Sequence, residues 1–305
     1  MSFLKRIIDV SFTLAPTTSE KGESVSPKFQ GSGGANTVKI TGKRVNASIT
    51  NSGQITTSQL QMSIYGMSLS QMNQLSTVST WGKLVTQISQ NTVTIASGDE
   101  ENGTATVFTG RITDAMIDFT NAPDVAFQVS AYSAADLRLT PGKATSFNGV
   151  VPVETILQDI CGRCGLVLVN NGVQAKLAYQ YLFGTYLDQI DECCRNVNID
   201  HDIQGNVLSI WPKGGSRKGV TQLVSPETGM VGYPTFFPLG INVVTEHRHG
   251  INYGSQIEVH SSVQPACGTW VVFCANHDIT SELPGGSWFT RLQCSRPGAF
   301  PVSGF

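Results

Sequence analysis

Charge is scarce in this chain. Asp, Glu, Lys and Arg make up 14% of its 305 residues, against roughly 25% in an ordinary soluble domain. The formal net charge is -2 and Lys and Arg never form a run. This argues against a dedicated nucleic-acid surface, because phosphate binding needs concentrated positive charge. Long apolar stretches are missing too, and nothing approaches the ~20 residues of a membrane-spanning helix. At the N-terminus, Lys5-Arg6 is followed by Ile7-Ile8, but Asp9 interrupts the stretch, so it reads as a strand and not as a secretion signal. The chain is expected to be unprocessed, made in the cytoplasm and free of membrane contact. Seven cysteines, an odd number in a chain of this length, do not suit a disulfide framework, and free, mostly buried thiols are expected.

What the chain has in abundance is alternation with a period of two. Leu60, Met62 and Ile64 alternate with Gln61, Ser63 and Tyr65, so one face of a strand is apolar and the other polar. The same holds for Ile8, Val10, Phe12 and Leu14, for Val125, Phe127, Val129 and Ala131, and more briefly for Val45, Ala47 and Ile49 and for Ile257 and Val259. Turn signals separate these runs, among them Asn51-Ser52-Gly53, Asn102-Gly103, Gln204-Gly205-Asn206 and Pro284-Gly285-Gly286. The chain is therefore expected to be mainly β and antiparallel. Its polar faces are hydroxyl- and amide-rich, which suits contacts with neighbouring subunits, since neutral groups cost less to bury than charges.

Changes of period divide the chain into three. Residues 1–146 form a first β domain, interrupted by a Pro-, Gly- and Ser-rich segment at 16–36 that reads as a mobile loop. Within this domain Ser68 and Gln71 fit a capping box, opening a short helix with Leu69, Met72 and Leu75 or Ser76 on one stripe. Sheet is expected to resume near Lys83. From Pro152 the apolar positions Val153, Ile156, Leu157, Ile160, Cys161 and Cys164 are spaced three and four apart, which makes an amphipathic helix ending at Gly165. A second helix carries Leu187, Ile190, Cys194 and Val197. With a strand at 166–169 and a hairpin about Gly205-Asn206, residues 147–215 read as a small α/β insert. Residues 216–305 return to strands and end in a tail from Arg296.

Groups able to carry chemistry are few. Cys161-Gly162-Arg163-Cys164 has the spacing of a metal knuckle, with Cys193-Cys194 on the next helix. Cys161 and Cys164 fall on an apolar stripe, however, where cysteine packs as a small hydrophobe. His247 and His249 share one strand face, with His260 and His277 as further ligand candidates, but lack a nearby carboxylate pair. His277-Asp278 suggests part of a triad, without a nucleophile elbow to go with it. Asp99-Glu100-Glu101 lies in a hairpin loop, a solvated position unlike the rigid carboxylate pair of a glycosidase. Gly31-Ser32-Gly33-Gly34 lacks the Lys-Ser/Thr of a phosphate cradle. Phe236-Phe237, between Pro234 and Pro238, reads equally as an exposed partner patch or as core. No catalytic, cofactor-binding or metal-binding residue is assigned, and no cofactor is expected.

Five segments taken in order carry a resemblance. They are the strand-to-helix stretch from Gln61 to Ser76, Leu208 to Gly215, Ser225 to Pro234, Gly268-Thr269-Trp270 with His277-Asp278, and Pro284 to Thr290. Over roughly residues 36–298 the chain resembles the baseplate hub proteins of contractile-tailed bacteriophages, and is similar to the central hub of the T-even phages. The loop at 16–36 and the tail after Arg296 do not align, and the cysteines are particular to this chain. The resemblance implies two tube-type antiparallel β-barrel domains flanking an inserted α/β domain. It further implies a homotrimer in the virion, with no enzymatic activity. That trimer would join the sixfold tail tube to the threefold spike, contact other baseplate proteins, and surround a channel through which DNA passes without sequence-specific binding. Two alternatives are a carbohydrate- or receptor-binding β-protein at the tail tip, using Trp270 and Trp288, and a cell-wall hydrolase.

Overall fold

The computed structural model describes residues 4–18, 24–25, 27–29, 34–53, 57–77 and 91–299. In chain order, strands β1 (Arg6–Thr13), β2 (Thr17–Thr18), β3 (Ser24–Val25), β4 (Thr37–Ile40), β5 (Val45–Asn51) and β6 (Gln59–Tyr65) precede helix α1 (Leu69–Leu75). Strands β7 (Thr92–Asp99), β8 (Gly103–Asp118) and β9 (Ala126–Tyr132) lead to the short helix α2 (Ala135–Leu139). There follow β10 (Thr145–Ser146), β11 (Val150–Pro152), α3 (Val153–Cys164), β12 (Val167–Asn170), β13 (Lys176–Ala178), β14 (Tyr181–Leu182) and α4 (Tyr186–Asn196). The last strands are β15 (Ile199–Gln204), β16 (Val207–Pro212), β17 (Gln222–Val224), β18 (Thr235–Phe237), β19 (Gly240–Glu246), β20 (Gln256–Val259), β21 (Gly268–Ser281) and β22 (Trp288–Ser295). The chain is mainly β, as its alternation implies.

Contacts divide it into two compact units. The first comprises Met1–Ile49, Gln59–Ser133 and His277–Trp288. Its strands run in the order β4-β1-β7-β8-β9-β6-β5, with the end of β21 beside β5. Register matches the apolar faces: Leu60, Met62 and Ile64 of β6 stand opposite Ala131, Val129 and Phe127 of β9. These side chains are buried together with Ile8, Val10 and Phe12 of β1, and the rings of Phe12 and Phe127 meet edge-on at 6.3 Å. Each such aliphatic side chain stabilises the fold by about 1.5–3 kcal/mol. Helix α1 opens with the expected capping box between Ser68 and Gln71. Met72 and Leu75 are buried but Leu69 is exposed. At about 100° per residue Leu69 lies 120° around the helix from Leu75, so three residues spaced by three cannot share a narrow stripe.

Part of the 16–36 segment is described, and there β2 and β3 pair through Thr17–Val25 and Thr18–Ser24. Phe29 is buried in the core of the first unit. The remainder of that segment, including Gly31 to Gly33, lies outside the described residues, as does the expected resumption of sheet near Lys83.

The second unit comprises Thr50–Ser58, Ala134–Asn276 and Phe289–Phe305 and holds two apolar clusters. In one, α3 and α4 cover the three-stranded sheet β12-β16-β15. Helix α3 is flanked by Pro152 before its first residue and by Gly165 after its last, where Gly165 has a left-handed φ of 77° and donates its N–H to the carbonyl of Cys161. Helix α4 has a capping box of its own, Thr185 with Asp188. In the other cluster, β19, β22, β20 and the start of β21 bury Val243, Ile257, Trp270 and Leu292. Among the described residues, β12 with β16 and β17 with β20 are parallel pairings. The first is made possible by α4, which lies in the long connection a parallel pair requires.

Candidate functional site

The sequence-derived candidates for chemistry do not come together. Cys161 on α3 and Cys193 and Cys194 on α4 sit inside the helical cluster. Burial pushes the thiols of Cys161 and Cys193 up to about 12 and raises that of Cys194 well above its ordinary value. A metal ligand or nucleophile must be a thiolate, which such surroundings oppose. Among the described residues, no group of three or more His, Cys, Asp or Glu side chains is placed to hold a metal. His247 lies 3.3 Å from Thr290 Oγ1, and His260 lies 3.0 Å from Glu258 on an exposed edge. His277 is buried, whereas the carboxylate of the next residue, Asp278, accepts a hydrogen bond from Ser48 at 2.9 Å. Successive strand residues face opposite ways, so this pair forms no dyad.

The remaining candidates have structural roles. Asp99 accepts from the backbone N–H groups of Asn102 at 2.7 Å and Glu101 at 2.9 Å, and Asn102 also donates its side chain. Those bonds, led by the Asn102 side chain, hold the Asp99 carboxyl below the usual carboxylate range. Trp270 is buried, donates Nε1–H to the Ala266 carbonyl at 2.8 Å and stacks under Arg296 at 4.0 Å. Trp288 is likewise buried. Neither ring has the open face a sugar platform needs. Of the adjacent phenylalanines, Phe236 is exposed, and Phe237 stands 5.9 Å from Phe273.

A polar junction that the sequence reading overlooked lies in the second unit. Strand β15 reads Ile-Asp-His-Asp-Ile-Gln, and its first five residues are all buried. Asp200 accepts from Lys213 Nζ at 2.7 Å and from the N–H of Gly214 at 3.2 Å. Asp202 lies 3.5 Å from Arg217 and is bonded by Asn51. On the opposite face His201 Nε2 is 2.8 Å from Asp191 of α4, though off the line of a hydrogen bond. Burial raises the Asp202 carboxyl above its ordinary 3.8 despite the neighbouring guanidinium, and burial lowers the Arg217 pKa.

Aromatic packing locks this junction. Trp211 of β16 meets Tyr253 at 5.2 Å, and Arg217 lies 5.9 Å over the Trp211 ring. Glycine is required on both sides. A Cβ at Gly254 would come within 2.5 Å of Trp211, and one at Gly53 within 2.1 Å of Tyr253. Each carboxylate on β15 is held by a cation from the segment that follows β16.

The first unit offers a surface of another kind. Asn46 and Ser48 of β5, Gln61 and Ser63 of β6, and Gln128 and Ser130 of β9 line a groove of about 460 Å³. In register, Gln61 faces Ser130 and Ser63 faces Gln128. Such a face makes hydrogen bonds without desolvating a charge.

The described residues thus bury two strand-built apolar clusters and one helical cluster. Residues 29–287 match the family described as baseplate hub gp41. The chain belongs to that family. It is a structural component of a phage baseplate, and so of the virion tail. Among solved structures it is similar to the tail protein of Neisseria meningitidis MC58, at 9% identity and a TM-score of 0.59, over 96% of this chain and 99% of that one. It is also similar to the 43 kDa tail protein of prophage MuSo2 from Shewanella oneidensis, at 11% identity and 0.57, over 86% and 95%. A chain of the half-lidded Francisella PdpA-VgrG complex aligns at 7% identity and 0.54, over all of this chain and 60% of that one. At these identities the likeness is one of fold. No curated protein matches the sequence.

Proposed function

We propose that this baseplate hub acts as a trimeric adaptor. Each chain contributes two tube-type strand domains, 1–146 and 216–305, on either side of the α/β insert 147–215. Three chains then present six strand bodies to a sixfold tail tube and three inserts to a threefold spike, around the channel that DNA crosses. The observation that carries this reading is the presence of two separate strand-built apolar clusters, one about Phe12 and Phe127 and one about Val243 and Leu292, with a helical cluster encoded between them. Further support comes from the likeness to a chain of the PdpA-VgrG complex, which points to a partner of spike type. The low basic content lets DNA slide without sticking. Such a protein assembles in the host cytoplasm and needs no catalytic residue.

Native mass spectrometry of the purified chain, alone and mixed with tube and spike proteins, tests this reading. Three copies are expected. A chain that stays monomeric with every tail partner present contradicts it.

A further inference from the structure

The second unit carries an exposed aromatic ribbon. Strands β10 and β11 pair with β14 and β13, and the ladder continues through Phe147 N–H to Gln180 and Gly142 N–H to Gly184. Its inner side buries Leu182 and Thr145. Its outer side leaves Tyr179 77%, Tyr181 64%, Phe183 62% and Val150 67% exposed, with the Tyr181 and Phe183 rings 6.1 Å apart. Three such rings expose on the order of 400 Å², half of the ~800 Å² per partner in a standard interface. The only charges in residues 141–152 and 176–185 are Lys143 and Lys176, and both are cationic.

The first unit carries the complement. At the end of the β8–β9 hairpin Phe119 is 56% and Met116 44% exposed. The only charges in residues 112–128 are Asp114, Asp118 and Asp124, all anionic. Thr77 donates to Asp114, Thr120 and Gln128 donate to Asp118, and Asp124 pairs with Arg44 at 3.3 Å, all on or near the surface.

We propose that the cationic aromatic ribbon of one copy docks on the acidic, aromatic end of the β8–β9 hairpin of a neighbouring copy. Unlike patches then meet, which is the heterologous contact that closes a ring. Aromatic rings supply the buried centre and Lys–Asp pairs the rim that sets orientation. The proposal rests on the trimeric reading and adds the surfaces that make it.

Sedimentation velocity over a concentration series reads the outcome, with far-UV circular dichroism confirming that each variant is folded. The wild-type chain is expected to associate. Tyr181→Ser with Phe183→Ser, and separately Phe119→Ser, should each weaken association at least tenfold. Lys143→Glu with Lys176→Glu should abolish self-association, as should Asp114→Lys with Asp124→Lys, while an equimolar mixture of these two charge-reversed chains should associate again. Folded variants that associate like wild type overturn this surface and leave the trimer standing. A wild-type chain that remains monomeric at every concentration overturns docking between copies, and overturns the trimer too when it stays monomeric with tube and spike proteins added. Binding of wild type to phosphatidylglycerol vesicles, lost in the Tyr181→Ser/Phe183→Ser variant without any change in association, would assign the ribbon to a lipid surface and overturn docking between copies.

Discussion

Strands β6 and β15 alternate alike in sequence, Leu-Gln-Met-Ser-Ile-Tyr against Ile-Asp-His-Asp-Ile-Gln, yet they occupy different surroundings. In β6 the apolar residues Leu60, Met62 and Ile64 are buried, while Gln61 is exposed and Ser63 and Tyr65 are half-buried. In β15 the polar residues are buried as well, because Lys213, Arg217 and Asn51 cover one face and α4 the other. Alternation therefore reports that two faces differ, without saying that one is wet. The chemistry of the polar residues is what separates the cases. Neutral amides and hydroxyls suit an open face, while carboxylates at every second position demand either water or cations of their own.

The comparison is sharpest at Asp202. Asp202→Ala leaves Arg217 buried and uncompensated, and should cost about 3–5 kcal/mol in chemical denaturation. The apolar side of β6 should be nearly as sensitive. Leu60→Ala opens a cavity in the first core and should cost about 2–5 kcal/mol, with the loss seen in the hydrogen-exchange protection of β6 and β9. A gain from Leu60→Ala would break the account of that core.

Asp202 also predicts a pH dependence. Its folded pKa lies above 3.8 because burial opposes the charged form. The part of its contribution that depends on protonation is thus fully present below the ordinary value of 3.8, and is lost as pH rises through the higher folded value. The stability of wild type relative to Asp202→Asn should accordingly fall with rising pH across that window in parallel denaturant titrations. An increase would mean that the Arg217 pair outweighs the cost of burial.

Smaller effects complete the contrast. Thr185→Ala removes the cap of α4 and should cost about 1 kcal/mol by thermal melting. Gln61→Ser, on the outer face of β6, should change the stability of the isolated chain by less than about 0.5 kcal/mol. A cost of 2 kcal/mol or more there would show that the two polar faces are not different in kind.

Much of the fold was legible because the signals are local. Helix α3 is bounded by Pro152 and Gly165 where the change of period places it, and the Ser68–Gln71 capping box is present. Cys161, Cys193 and Cys194 pack as small apolar residues, with Cys164 half-buried against them, as the stripe on α3 implied for its own pair. What stayed hidden depends on separation along the chain. Arg217 reaches Asp202 across a hairpin, and Asn51 reaches it from the other end of the sequence. The parallel β12–β16 pairing joins segments forty residues apart. Trp270 and Trp288 read as sugar platforms only until burial is known. The hub family itself was visible because five turn and strand segments keep their order.

Electron microscopy of the assembled tail end tests the hub account most directly. It predicts three copies of this chain in one ring, contributing six strand bodies toward the tube and three helical inserts. Six copies with one strand body each in the ring, or a single copy at the tip, would contradict it.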